Sequence, residues 1–398
     1  MPWKVTWPMK EREQLVQAYT TGRYTVGEIA ETLGVSRKTA HKWLQRFAEE
    51  GFVGLADRSR APRRHPNATP PTVVNAVVRE KLAHPTWGPL KLRPGAPDPP
   101  AVVAAWPAPS TRGAILARVG LTSSRRRRRR VPPATQPFGV CDRPNALWCA
   151  DFKGWFRTGD GMRCDPLTIS DAYSRMLLCC QGLPRPDYGH VRPAFEAVFR
   201  KYGLPDAIRT DNGPPFASVG VGGLSSLAVW WVKLGIRLER ILPGHPEQNG
   251  RHERMHLTLK QDCCRPPAAT GVAQQVCFDA FRQTYNWERP HQALGLQPPA
   301  TWYRPSPRPY PASLDDPSYP SHAALRRVRS NGEIKWRGQR VFISEALTGE
   351  VIGIWETTAG YAVHFGPLPL GQLDPTGERL LRPGERIAKA KNVTHVRS

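Results

Sequence analysis

Leu147-Trp148-Cys149-Ala150-Asp151, Arg209-Thr210-Asp211-Asn212-Gly213 and His245-Pro246-Glu247-Gln248-Asn249-Gly250-Arg251-His252-Glu253 decide how this chain is read. The first is an apolar strand ending in an acid. The second is a short buried strand whose acid precedes a sharp Asn-Gly turn, and the third opens a helix. Adjacent strands lie about 4.8 Å apart, so Asp151 and Asp211 at one sheet edge are close enough to share metals, with Glu253 joining them from a helix across that edge. A phosphodiester is anionic and resists attack. An enzyme that cuts it must bring cations to the scissile phosphate and activate an oxygen nucleophile, and carboxylates holding two Mg²⁺ ions about 3.5–4 Å apart do both. A single Asp at a strand end is ordinary turn chemistry; three acids in these contexts, in this order, are not.

Outward from these stretches, Ala146 to Phe156, Pro166 to Asp171 and Met176 to Leu183 read as strands, and Val191 to Tyr202 as a helix. Ala207 to Asp211 is a strand, Leu224 to Leu234 a helix, Ile236 to Ile241 a strand, and Glu247 to about Cys264 a long helix. A meander of strands followed by alternation with helices predicts an α/β layered domain with a central mixed sheet over residues 137–304.

At the N-terminal side, residues 1–56 read as a helix-turn-helix domain whose residues 9–50 form three short helices, with Gly34 in the tight turn and Ser36 capping the third. Arg37, Lys38, Thr39, His41 and Lys42 are left facing outward near the start of that helix, as a recognition helix entering the major groove requires. Residues 57–136 form a basic, Pro- and Arg-rich linker with a degenerate second helix-turn-helix: Thr72 to His84 and Ser110 to Gly120 are helical, and the prolines from Pro89 to Pro109 forbid a continuous helix between them. Arg125 to Arg130 is a charge run that reads equally as a solvated, disordered segment or as a flexible phosphate clamp. Residues 305–322 are a linker. Val328 to Lys335, Gln339 to Ser344, Val351 to Glu356, Tyr361 to Phe365 and Leu370 to Asp374 are short strands that predict a small β-barrel over residues 323–382, followed by a basic tail, 383–398.

Lys and Arg number 57 against 33 Asp and Glu, a formal charge of +24 over 398 residues, which calls for a polyanionic partner and steep salt dependence. The eight cysteines form no C-x-x-C pair, and the vicinal pairs Cys179-Cys180 and Cys263-Cys264 lack zinc spacing, so they read as reduced structural thiols. No apolar run of bilayer length and no signal-peptide pattern is found, so no membrane partner is expected and a cytoplasmic, nucleoid-associated protein is predicted, with a basic ribosome-associated or membrane-surface protein ranked lower.

Trp148-x-x-Asp151, Thr210-Asp211-Asn212-Gly213 with Phe216, and the run from Pro243 through Glu253 to Lys260 resemble the catalytic core of retroviral integrases and bacterial insertion-sequence transposases, the DDE recombinases with a ribonuclease-H-like fold. Tyr285 to Gly295 is similar to the segment that closes this core in bacterial transposases, and the resemblance extends from Asp142 to Tyr303. Between Asp211 and Glu247 lie 35 residues, the family's spacing, against 41 to Glu253. The family's glutamate follows its glycine by three residues, however, and Gly250 sets that register on Glu253, with the glycine-rich stretch Val219 to Ser226 as a surface insertion and Glu247 as an N-terminal helix acid.

The resemblance implies that Asp151, Asp211 and Glu253 are the catalytic, metal-binding residues for two Mg²⁺ or Mn²⁺ ions. It implies a DNA transposase that cleaves at terminal repeats and transfers the strand to target DNA. Its partner is double-stranded DNA, and joining two ends needs a homodimer or higher multimer. Lys260, on the helix face of Glu253, and Arg254 beside it are assigned to the DNA backbone, with His245 and Asn249 orienting the loop. Two alternatives stand beside this reading: a catalytically inactive DNA-binding relic, motivated by the Pro-rich stretch before Ser110, and a ribonuclease-H-type nuclease.

Overall fold

A computed structural model of the chain describes residues 7–59, 68–95, 98–122, 141–218, 220–241, 250–358, 360–374, 376 and 379–382. Two compact units share it, Met1–Pro70 and Pro71–Ser398.

The first unit holds α1 (Pro8–Thr20), α2 (Val26–Thr32) and α3 (Arg37–Glu50). Thr25 and Glu28 form a reciprocal capping box at α2. Gly34 turns the chain at φ 65°, a conformation that suits glycine, and Ser36 accepts the Thr39 N–H to cap α3. Leu15, Val16, Ile29, Ala30, Ala40, Trp43 and Leu55 close one small core. Arg12 lies over the Trp43 ring at 3.8 Å and donates to the Leu55 carbonyl, fastening α1 to the end of the unit.

In the second unit, α4 (Pro71–Ala83), α5 (Pro100–Ala104) and α6 (Pro109–Arg118) come first. Among the described residues, the proline-rich span holds only the five-residue α5. Ala108 stands at the N-cap of α6 and makes no side-chain cap. Val77, Trp87, Leu92, Ile115 and Leu116 nevertheless form a buried cluster between α4 and α6. The arginine run 125–130 and most of the basic linker before Pro66 lie outside the described residues.

The central sheet comprises β1 (Trp148–Phe152), β2 (Phe156–Arg157), β3 (Arg163–Asp171), β4 (Leu177–Leu183), β5 (Ala207–Thr210) and β6 (Arg237–Arg240). Their order is β2-β3-β1-β5-β6, with β4 also on β3; β1 runs antiparallel to β3 and parallel to β5. Helices cover both faces, as a sheet with parallel strands demands. On one face, α7 (Tyr188–Tyr202) and α8 (Ser226–Lys233) bring Phe195, Phe199, Trp230 and Trp231 against Trp148, Leu167 and Ile208. On the other, α9 (Gly250–Cys263) and α10 (Gly271–Trp287) pack Met255, Leu259, Phe278 and Tyr285 against Cys164, Leu177 and Cys180. This mixed sheet between helical layers matches the sequence expectation, except that α10 goes beyond it. Cys149, Cys164, Cys179, Cys180, Cys263, Cys264 and Cys277 form no disulfide. Burial raises the Cys179 thiol to about 12 and pushes Cys180 up as well, which makes these thiols inert packing groups.

The C-terminal strands are β7 (Ala324–Arg327), β8 (Glu333–Trp336), β9 (Gln339–Phe342), β10 (Val351–Thr357), β11 (Gly360–Phe365), β12 (Leu368–Leu373) and β13 (Leu380–Leu381). They form an open sheet, β13-β12-β11-β10-β7, and a separate β8-β9 hairpin. The expected small barrel is thus corrected: among the described residues no pairing closes the sheet, and a turn at Asn331-Gly332 divides the strand expected from Val328 to Lys335. This sheet shares a core with α8, where Leu224, Ala228, Val229 and Val232 meet Ile352, Val363, Phe365 and Leu370. The Val219 to Ser226 insertion therefore does more than decorate the surface, since Leu224 is fully buried in that core. Lys233 fastens the seam through Glu350 at 2.8 Å.

Candidate active site

Asp151 and Asp211 are placed by neighbouring parallel strands. The β1–β5 register pairs Trp148 with Ile208 and Cys149 with Arg209. Carried two residues onward, it brings Asp151 level with Asp211, at the carboxyl ends where open α/β sheets bind ligands. Trp148, fully buried, anchors β1 by donating from Nε1 to Asn145 Oδ1 at 3.0 Å. Asp211 is exposed just past β5, and its Oδ1 accepts the Gly213 N–H at 3.2 Å. Asn212 ties the same turn to the end of β6 by donating to the Ile241 carbonyl at 2.8 Å. Phe216 packs beneath on Phe152 and Trp231. A cleft of about 1070 Å³ opens beside this turn, lined by Asn212, Pro214, Ser218, Ser344, Arg379 and Arg382 among others.

Glu253 lies in the first turn of α9 and is exposed; the positive end of the helix dipole favours an acid there. Its neighbour His252 is buried, as is His256 one turn on. Both imidazoles reach Thr168, the residue paired with Asp151 across the β1–β3 ladder. Burial holds His252 down at about 4 and His256 at about 2, so both rings are neutral near pH 7.

The chemistry of three carboxylates fits a hard divalent cation, which takes oxygen ligands. Carried onward, the β1–β5 register sets two of them level, and the third lies on α9, which packs on the same sheet. Among the described residues, however, no group of three or more His, Cys, Asp or Glu is gathered closely enough to hold a metal ion. Glu247, His245 and Asn249 lie outside the described residues.

Of the cationic positions, Lys260 is half-buried and Arg254 exposed on α9. Lys153, which sequence reading passed over, is half-buried two residues beyond Asp151. Its ammonium is held down by burial, with Lys260, Arg265 and Asp151 among the charges acting on it. Strand alternation carried the signal, because residues 151 and 153 share a face. His252 and His256, at i and i+4, also share a face in the sequence. Their partner Thr168 is 84 and 88 residues away, so only the fold reveals it. In the first unit, Arg37, Lys38, His41 and Lys42 are exposed, whereas Thr39 is partly buried and its hydroxyl lies 2.9 Å from that of Ser36 within the cap.

Residues 142–246 and 234–299 match two family models described as integrase core domains. Residues 11–63 match a helix-turn-helix domain, and residues 39–116 a homeodomain-like domain. The 31.7 kDa protein of insertion element IS407 from Burkholderia multivorans is 30% identical over 46% of this chain and 64% of its own length. The 39.2 kDa protein of insertion element IS476 from Xanthomonas euvesicatoria is 31% identical over 44% of this chain and 49% of its own. The chain thus spans about half to just under two thirds of the curated relatives it matches. A chain from the simian T-cell lymphotropic virus intasome is 17% identical, covering 75% of this chain and 99% of its own with a TM-score of 0.35.

Proposed function

We propose that this chain, with its integrase-core and helix-turn-helix matches and insertion-element relatives, is a DNA transposase that cuts at terminal repeats and joins the freed strand to target DNA. What supports this is the β1–β5 register, which carried onward sets Asp151 level with Asp211, together with Glu253 on a helix whose His252 bonds Thr168 of β3. Asp151, Asp211 and Glu253 would hold two Mg²⁺ or Mn²⁺ ions. Bound there, the ions neutralise charge at the scissile phosphate and activate the oxygen that attacks it.

The protein's own side chains do the positioning. Lys153 and Lys260 present positive charge next to the acids, where a phosphate backbone must lie. Arg326, Arg327, Arg329, Lys335 and Arg337 gather on the C-terminal strands and offer a second backbone contact. The exposed cations of α3 read the terminal repeat. Two ends must be joined together, so the active form is a homodimer or higher multimer on DNA. No helix among the described residues is long and apolar enough to cross a membrane, and the site of action proposed is the cytoplasmic nucleoid.

A duplex carrying the terminal repeat, mixed with supercoiled plasmid and Mg²⁺, tests this reading. Nicking at the repeat end followed by covalent joining to the plasmid is the expected result. Repeat-specific binding with no nicking would instead make the chain an inactive DNA-binding relic, and preferential cutting of RNA–DNA hybrids would make it a ribonuclease-H-type nuclease.

A further inference from the structure

One hydroxyl touches both the backbone of Asp151 and the side chain that precedes Glu253. Thr168 Oγ1 lies 3.1 Å from the Asp151 carbonyl oxygen, 2.7 Å from His252 Nε2 and 2.7 Å from His256 Nε2. All three side chains are buried, at 0% exposure for Thr168, 3% for His252 and 7% for His256.

The protons are assigned by elimination. A threonine hydroxyl has one proton and two lone pairs, and a carbonyl only accepts. The Thr168 proton therefore goes to the Asp151 carbonyl, and its lone pairs accept from the Nε2–H of each imidazole. That leaves His252 Nδ1 bare, where it accepts from the Ser170 hydroxyl at 3.1 Å. The Thr168 hydroxyl and both nitrogens of His252 are thereby satisfied, and both imidazoles donate from Nε2.

We propose that Thr168, His252 and His256 form a positioning clamp that fixes α9 on the β1–β3 ladder and so sets Glu253 relative to Asp151. The clamp rests on the proposed cleavage reaction and acts on it only through that placement. Successive helical residues are turned by about 100°, so Glu253 leaves the buried face on which His252 is bolted and faces out. The clamp adds no group to the chemistry. It prevents α9 from sliding along the sheet, a motion that ordinary apolar contacts such as Met255 and Leu259 resist less directionally.

Thr168→Val keeps the shape and removes the shared acceptor, whereas Thr168→Ser keeps the hydroxyl. The expected result is a nicking rate on the order of 10- to 100-fold lower in Thr168→Val, with terminal-repeat binding unchanged and most of the rate restored in Thr168→Ser. Ser170→Ala, a milder variant that removes only the His252 Nδ1 bond, gives a smaller loss in the same direction. ¹⁵N spectra of histidine-labelled wild type show both rings as Nε2–H tautomers, a signature lost in Thr168→Val along with hydrogen-exchange protection of the first turns of α9. Wild-type nicking by Thr168→Val or Ser170→Ala, or a Thr168→Ser variant as slow as Thr168→Val, overturns the clamp. So does finding both rings as Nδ1–H tautomers. If wild type itself does not nick, the proposed reaction fails, and the spectra and exchange data still decide the clamp: loss of α9 protection in Thr168→Val supports it and unchanged protection contradicts it.

Discussion

Asn286, at the end of α10, bonds both backbone groups of Leu177 in β4, accepting its N–H at 2.8 Å and donating to its carbonyl at 2.9 Å. Both residues are buried. An amide side chain thus continues the sheet edge where another strand would otherwise pair, and it locks α10 to the core. Asn286→Ala leaves a buried donor and a buried acceptor without partners, at about 1–3 kcal/mol each. Urea denaturation is expected to show a loss of that order, and a loss below about 0.5 kcal/mol, the scale of an ordinary surface change, would contradict the locking role.

Leu224 joins the core domain to the C-terminal sheet through the core that sheet shares with α8. Leu224→Ala opens a cavity at a fully buried site, for which a cost of about 2–5 kcal/mol is expected. Limited proteolysis checks where that cost falls: cleavage near the linker at residues 305–322 should increase, releasing the C-terminal strands. A cleavage pattern identical to wild type would show that the seam does not depend on Leu224.

His291 supplies a pH dependence. Burial, aided by the cations Lys91, Arg289 and Arg175, holds its imidazole down at about 3 from an ordinary 6.5, and the ring stacks edge-on to Tyr285 at 4.8 Å. Its Nε2 is buried without a hydrogen-bond partner. A depressed histidine binds its proton more readily in the unfolded chain, so its effect on stability is neutral above about pH 6.5. Stability then falls as the pH drops from 6.5 toward 3. The contribution is at most one proton, or about 1.4 kcal/mol per pH unit. His291→Gln should flatten the acid limb of a stability-versus-pH curve by up to that slope, and an unchanged limb would contradict the assignment.

The exposed cations of α3 predict a salt signature. Lys38→Ala and Lys42→Ala, as phosphate contacts, should each weaken binding across all sequences and reduce the log–log salt slope by about 1. Arg37→Ala, at the start of α3, should instead relax discrimination between the terminal repeat and scrambled DNA. Equal losses on both DNAs for all three variants would remove α3 from base reading.

Much of the central α/β domain was legible because its strands are short, apolar and bounded by turns. What stayed hidden depended on burial running against residue type. In α10, Gln274 and Asn286 are buried while Val272 is 79% and Val276 64% exposed, so the apolar period that marks a helix is blurred. The C-terminal strands were shifted because the Asn331-Gly332 turn, with Gly332 at φ 75°, interrupts an otherwise strand-like run. The clamp on Glu253 was unreadable for a different reason: Thr168 is an ordinary strand threonine until the register sets it opposite Asp151.

Mg²⁺-dependent nicking of a labelled terminal-repeat duplex by wild type, Glu253→Gln and Glu247→Gln tests the central claim most directly. The account predicts that wild type and Glu247→Gln nick and that Glu253→Gln does not, although all three bind the repeat. Nicking retained by Glu253→Gln and lost in Glu247→Gln would contradict the placement of the third acid on α9 beside the clamped His252.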